Sequence, residues 1–71
     1  MIDTANKELV GKRIREFREN NHWSREDMAN KLQTTVPNLG HVERGTQMPT
    51  LLQLQLLVSL SNISYGFWLH G

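Results

Sequence analysis

TTVPNLGHVERG, residues 34–45, is a poor recipe for any regular structure, and its reading decides the fold. Thr35, Val36 and Asn38 are mediocre helix formers, and Gly40 alone costs on the order of 1 kcal/mol against alanine inside a helix. Yet the stretch is bounded as a helix is. Thr35 is a candidate N-cap, Pro37 falls in a first turn, where its missing N–H needs no intrahelical partner, and Gly45 suits the left-handed turn after a helix. A helix over about residues 36–43 therefore stands only if Leu39 and Val42 are clamped by neighbours. Its other side, with Val36, Pro37, Gly40 and His41, has no packing task and is free to be read by a partner.

The flanks supply the clamps. Ser24 with Asp27 forms a capping-box pattern, and Trp23 and Met28 occupy the two staple positions around it. The helix this starts, about residues 25–32, offers Met28, Ala29 and Leu32 to a core. Upstream, Val10, Ile14 and Phe17 recur at i, i+4 and i+7, which predicts a first helix over roughly residues 5–20, with Asn20-Asn21 as its stop. Only Gln33, Thr34 and Thr35 separate the second and third helices, so the two must meet steeply, with small Ala29 at their approach. Downstream, Pro49 and the Thr50/Gln53 pair open a helix over residues 51–60, and Ser64 is a weaker cap for a fifth. No stretch alternates with a strand's period. The expected fold is all-α, one five-helix domain over residues 1–71.

Composition narrows the chemistry. The 71 residues include no cysteine, so neither a disulfide framework nor a thiolate metal site braces the chain. His22, His41 and His70 lie in separate contexts, no HExxH or glycine-rich phosphate loop occurs, and no serine sits in a nucleophile pattern. We expect no enzyme, no metal, no cofactor and no small-molecule ligand. The amino terminus lacks a leader's apolar core, and LLQLQLLVSL (51–60) is far shorter than the roughly 20 residues of a membrane span, so the expectation is a soluble, cytoplasmic protein. Net charge is +1, and every Lys, Arg, Asp and Glu lies in residues 1–44. That pattern predicts a solvated first half and a buried or self-associating second half.

Within that second half, Leu51, Leu54, Leu57 and Val58 form a core stripe, while Leu52, Leu56 and Leu60 recur on a different flank. One helix cannot hide both in so small a domain. With Phe67 or Trp68, the second flank is a candidate homodimer surface within residues 51–71.

These residues resemble the Cro/repressor-type (XRE-like) helix-turn-helix DNA-binding family, from about Val10 to Gly71. GKRIREFRENNHWSREDMANKL looks like its first two helices, TTVPNLGHVERG like the turn and recognition helix, TQMPT like the following loop and NISYGFWLHG like the last short helix. Ala29, Leu39, Val42, Glu43 and Gly45 match family positions, whereas Gln33 stands where glycine is usual, Thr34 where an apolar residue is usual and Arg25 where glutamine is common.

The resemblance implies a lambda-repressor-like fold with the helix-turn-helix at residues 24–44, and a third helix lying in the major groove. It places Thr35, Val36, Pro37 and His41 nearest the base edges, with Asn38 able to reach a base or the backbone. It turns Arg25 toward phosphate, and Arg44, Thr46 and Gln47 follow as phosphate contacts in the next loop. Lys12 and Lys31 read as solvated. At the matching positions the family carries a partly buried salt bridge, here Arg18 with Glu43. The implied function is sequence-specific binding of a near-palindromic double-stranded operator by a homodimer, with half-sites about 34 Å apart. A small phage or prophage repressor or Cro-like regulator at the nucleoid is the expectation, since the chain ends about where the family's DNA-binding domain ends, although the first domain of a longer repressor would look the same. The alternative is a protein-interaction module on the same scaffold, antitoxin-like or co-activator-like.

Overall fold

The computed structural model describes residues 6–70. Five helices follow one another: α1 (Lys7–Asn20), α2 (Arg25–Lys31), α3 (Val36–Glu43), α4 (Leu51–Ser61) and α5 (Tyr65–His70). Residue 5, expected in the first helix, and Gly71, at the end of the resemblance, lie outside the described residues. No strand occurs among the described residues.

Side-chain oxygens start the helices. Asn6 accepts from the N–H groups of Glu8 and Leu9, and Thr35 accepts from that of Asn38. Ser24 with Asp27, and Thr50 with Gln53, close reciprocal capping boxes.

The first three helices end alike, each in a pair of crossed backbone bonds around one residue of positive φ. After α1, His22 N–H donates to Glu19 O and Trp23 N–H to Arg18 O. After α2, Gln33 N–H donates to Asn30 O and Thr34 N–H to Ala29 O. After α3, Gly45 N–H donates to Val42 O and Thr46 N–H to His41 O. The left-handed residues are His22 (φ 58°), Gln33 (φ 54°) and Gly45 (φ 81°). Gln33 thus explains why glycine is usual at its place, and why the polar replacement is tolerable. The motif needs positive φ there, and the turn crowds no neighbour against the side chain, which is exposed.

The core draws on every helix: Val10, Ile14, Met28, Ala29, Leu32, Leu39, Val42, Leu54, Leu57 and Trp68. Two expectations need correction. Leu51 is 68% exposed and lies outside the core. At about 100° per residue it sits roughly 120° from Leu57, the centre of α4's buried arc, and Gln53 lies inward instead, its amide accepting from Thr50 N–H at 2.9 Å. Trp68 is 1% exposed and belongs to the core, not to an outer face. Its ring meets Phe17 edge-on at 5.5 Å, and its N–H donates to Ser61 Oγ at 3.3 Å.

Candidate nucleic-acid interface

Two constraints seat α3. Arg18, from α1, reaches the last turn of α3, where its Nε donates to Glu43 Oε2 at 2.8 Å and its Nη2 to Glu43 Oε1 at 3.2 Å. Arg18 Nη1 also donates to Trp23 O at 3.2 Å. Both charged side chains are nearly shielded, at 8% and 5% exposure. The hydrogen bonds to Glu43 hold the guanidinium pKa above its ordinary value, against the opposing pull of burial. The second constraint is backbone proximity. A Cβ on Gly11 would collide with the Val42 carbonyl oxygen and lie 2.8 Å from that of Glu43. Nor is there room at Gly45, where a Cβ would stand 2.7 Å from Glu8 Cα.

So gripped, α3 buries Leu39, Gly40 and Val42 and turns Thr35, Pro37, Asn38 and His41 to solvent. The outward face is narrower than expected. Val36 is half-buried and packs on the core, because the first turn of α3 rests against the hydrophobic cluster. Gly40 is buried as well, beneath the Arg44 side chain: a Cβ there would lie 2.9 Å from Arg44 Nη1.

Around this face the cations gather. Arg25, at the first position of α2, and Arg44, the C-cap of α3, line one polar hollow of about 210 Å³ together with Arg15, Gly40 and Glu43. The Glu43 carboxylate is turned to Arg18, so its charge is neutralised within the fold. Arg25 has no ion pair among the described residues. Arg15 pairs with exposed Glu19 at 3.1 Å, a link that screening makes weak. Thr46 is exposed and donates to His41 O at 3.0 Å, while Gln47 is half-buried. Asn38 Nδ2 donates to Thr34 Oγ1 at 3.1 Å, which braces the start of α3 from the turn.

Sequence reasoning did not single out Arg15 for this surface. Its spacing held the signal, for Gly11, Arg15 and Arg18 at i, i+4 and i+7 share the face of α1 that meets the end of α3. Both lysines read as solvated, Lys12 and Lys31, are exposed, and Lys31 Nζ also sits 4.6 Å from the Trp23 ring centroid. An apolar hollow of about 180 Å³ lies elsewhere, between α1 and α5, with Phe17 and Trp68 in its wall. No group of His, Asp and Glu suited to a metal ion occurs among the described residues, and no described helix is long and apolar enough to cross a membrane.

Of the proposed self-association residues, Leu52, Leu60 and Phe67 are exposed, at 51%, 41% and 45%, and Leu56 is half-buried. Leu51 and Tyr65 are exposed too.

Known proteins share this architecture. The helix-turn-helix family model (HTH_3) matches residues 14–68. An uncharacterized HTH-type transcriptional regulator of Bacillus subtilis, YazB, is 37% identical over 57 residues, covering 80% of this chain and 83% of that protein. The restriction-modification controller protein C.AhdI of Aeromonas hydrophila superposes with a TM-score of 0.70 at 28% identity, over 80% of this chain and 86% of that one. SinR, a master regulator for biofilm formation solved in complex with DNA, superposes with a TM-score of 0.71 at 23% identity, over 84% of this chain and 97% of that one, a likeness of fold. The protein therefore belongs to the helix-turn-helix family, in its Cro/repressor (XRE) type, a class of DNA-binding transcription regulators.

Proposed function

We propose that the protein acts as a homodimer that reads a near-palindromic operator through α3 and regulates transcription by occupying it, without catalysis and without a cofactor. One observation carries the reading. A helix too weak to stand alone is held from behind by the Arg18–Glu43 pair, and its free side, Pro37, Asn38 and His41, is open and flanked by Arg25 and Arg44.

Phosphate neutralisation by Arg25, Arg44 and Arg15 supplies most of the affinity, through counterion release. Pro37 and the exposed part of Val36 offer only apolar contact, suited to a thymine methyl group, while Thr35, Asn38 and His41 supply hydrogen bonds. Thr46 and Gln47 extend the phosphate contacts along the loop. Leu52, Leu60 and Phe67, joined by Leu51 and Tyr65, supply the apolar surface for the second copy. Such a regulator works in the cytoplasm at the nucleoid, as a small repressor or Cro-like protein of phage or prophage kind.

Selection of bound sequences from a random duplex pool is the direct test. A two-fold symmetric consensus with half-sites about 34 Å apart is the expected outcome. Arg25→Ala should weaken binding to all sequences and lower the salt slope by about one. Binding that is absent, or insensitive to salt, would turn the reading to the protein-interaction module.

A further inference from the structure

On the reading that α3 faces DNA, we propose that Arg44, seated on Gly40, is a positioning residue that decides which nitrogen of His41 carries the proton, and so whether His41 offers the base edge a donor or an acceptor.

The Nδ1 atom of His41 faces two groups at similar distance, Arg44 Nη2 at 3.5 Å and Thr46 Oγ1 at 3.4 Å. They ask for opposite tautomers. A guanidinium has only donors, so Arg44 can engage Nδ1 only where that nitrogen presents its lone pair. The Thr46 hydroxyl gives its single hydrogen to the His41 carbonyl at 3.0 Å, so it shows Nδ1 a lone pair and calls for a hydrogen there. A neutral imidazole has one hydrogen to place.

Charge decides the contest. With the two distances nearly equal, a cation attracts a lone pair and repels an N–H, and hydrogen bonds from ionised donors are roughly twice as strong as neutral ones. Arg44 therefore keeps Nδ1 bare, and the hydrogen resides on Nε2. The hydroxyl of Thr46 is satisfied by the carbonyl and loses little.

The seat of Arg44 is built into α3. Its Nη1 and Cζ would lie 2.9 Å and 3.5 Å from a Cβ on Gly40, so the guanidinium occupies the room that the missing side chain leaves. This accounts for a glycine in the middle of a helix that is already weak. Alanine would favour the helix but push the mobile end of Arg44 away from His41.

The consequence reaches the base edge. With hydrogen on Nε2, His41 donates, which suits guanine O6 or N7 and thymine O4, and it meets the amino groups of cytosine and adenine unfavourably. Without Arg44, the Thr46 oxygen takes the Nδ1 hydrogen, Nε2 becomes an acceptor, and the preference at that base pair reverses.

Nitrogen-15 NMR of the imidazole in the DNA-free protein, above the ordinary histidine titration range, reads the tautomer directly. The wild type should show hydrogen on Nε2, and both Arg44→Ala and Gly40→Ala should raise the Nδ1-protonated fraction. Gly40→Ala guards against unfolding, because it strengthens the helix while unseating the arginine. A tautomer that is unchanged in both variants, or a wild type already protonated at Nδ1, overturns the inference. In duplex selection, Arg44→Ala should shift the choice at one base pair per half-site by about two- to tenfold toward amino-bearing edges, the worth of one hydrogen bond. An even loss over all sequences would leave Arg44 as a phosphate contact alone and overturn the base-preference half. A wild type that binds no duplex overturns the DNA reading and that half together, whereas the imidazole spectrum tests the tautomer half separately.

Discussion

Helix α3 contains a proline, a glycine, an asparagine and two valines in eight residues, whereas α4 is mostly leucine and glutamine over eleven. By intrinsic preference α4 should be the secure helix and α3 the doubtful one. Both form, but for different reasons. α3 is fixed by what surrounds it: the Arg18 grip on Glu43, the backbone of α1 at Gly11, and caps at both ends. α4 combines residues of higher helix propensity with burial of Leu54 and Leu57 in the core, and it leaves Leu51, Leu52 and Leu60 in solvent. A helix held largely by its neighbours can present side chains chosen for a partner, while one whose own residues favour the helix can carry apolar surface for assembly.

The comparison breaks most readily at Glu43. Glu43→Ala leaves the Arg18 guanidinium buried without its carboxylate, and we expect a loss of about 3–5 kcal/mol, read as a drop in the urea midpoint. A loss below about 1 kcal/mol would mean that α3 does not depend on the pair. Gly11→Ala comes next, at about 1–3 kcal/mol, because the new methyl group meets carbonyl oxygens that cannot swing aside. The same measurement checks it. No equivalent single change in α4's exposed leucines should matter to the fold. Leu52→Ser with Leu60→Ser should shift monomer stability by less than about 1 kcal/mol in all, yet reduce self-association in sedimentation equilibrium.

The ends of α2 and α3 sharpen the same contrast. Gln33 and Gly45 hold equivalent places in equivalent turns, but Gln33 is exposed, whereas Gly45 is buried against Glu8. Gln33→Gly should therefore relieve left-handed strain and add up to about 1 kcal/mol of stability, visible as a higher melting temperature. Gly45→Ala should destabilise, since strain and collision act together.

Much of this architecture was legible in the residues, because caps and periodicity act over a few positions. Ser24/Asp27, Thr35 and Thr50/Gln53 mark helix starts that local hydrogen bonding alone decides. What the pattern could not convey was three-dimensional coverage. Leu51 is apolar and in step with Leu54 and Val58, yet the described residues leave it 68% exposed on the first turn of α4. Trp68 and Phe67 are adjacent aromatic residues in a six-residue helix, and only their placement against the rest of the fold, with Trp68 against Phe17 and Ser61, makes one core and leaves the other 45% exposed. The candidate interface divides in the same way. Outward placement of Pro37 and His41 was readable from α3 itself, but the half-burial of Val36 and the seat of Arg44 on Gly40 depend on how the first turn of α3 meets the core and how a long side chain folds back.

The smallest expected effect separates two capping boxes of the same hydrogen-bond pattern. In α2 the box is closed by a carboxylate: Ser24 N–H donates to Asp27 Oδ2 at 3.1 Å, and Asp27 N–H donates to Ser24 Oγ at 3.0 Å. The backbone hydrogen bond from Ser24, followed by its hydroxyl, lowers the Asp27 pKa below its ordinary value. In α4 the corresponding group is the neutral amide of Gln53. A carboxyl whose folded pKa is depressed contributes stability that is present above the unfolded value, about 3.9, and is lost as pH falls through the folded value. Asp27→Asn should consequently lower stability slightly at neutral pH, and its deficit against the wild type should shrink as the solution is acidified through that window. Gln53→Ala should show a deficit that does not narrow in this way. Urea midpoints of the two variants, taken at neutral pH and through the acid range, decide it: parallel curves would mean that the Asp27 charge adds nothing to its cap.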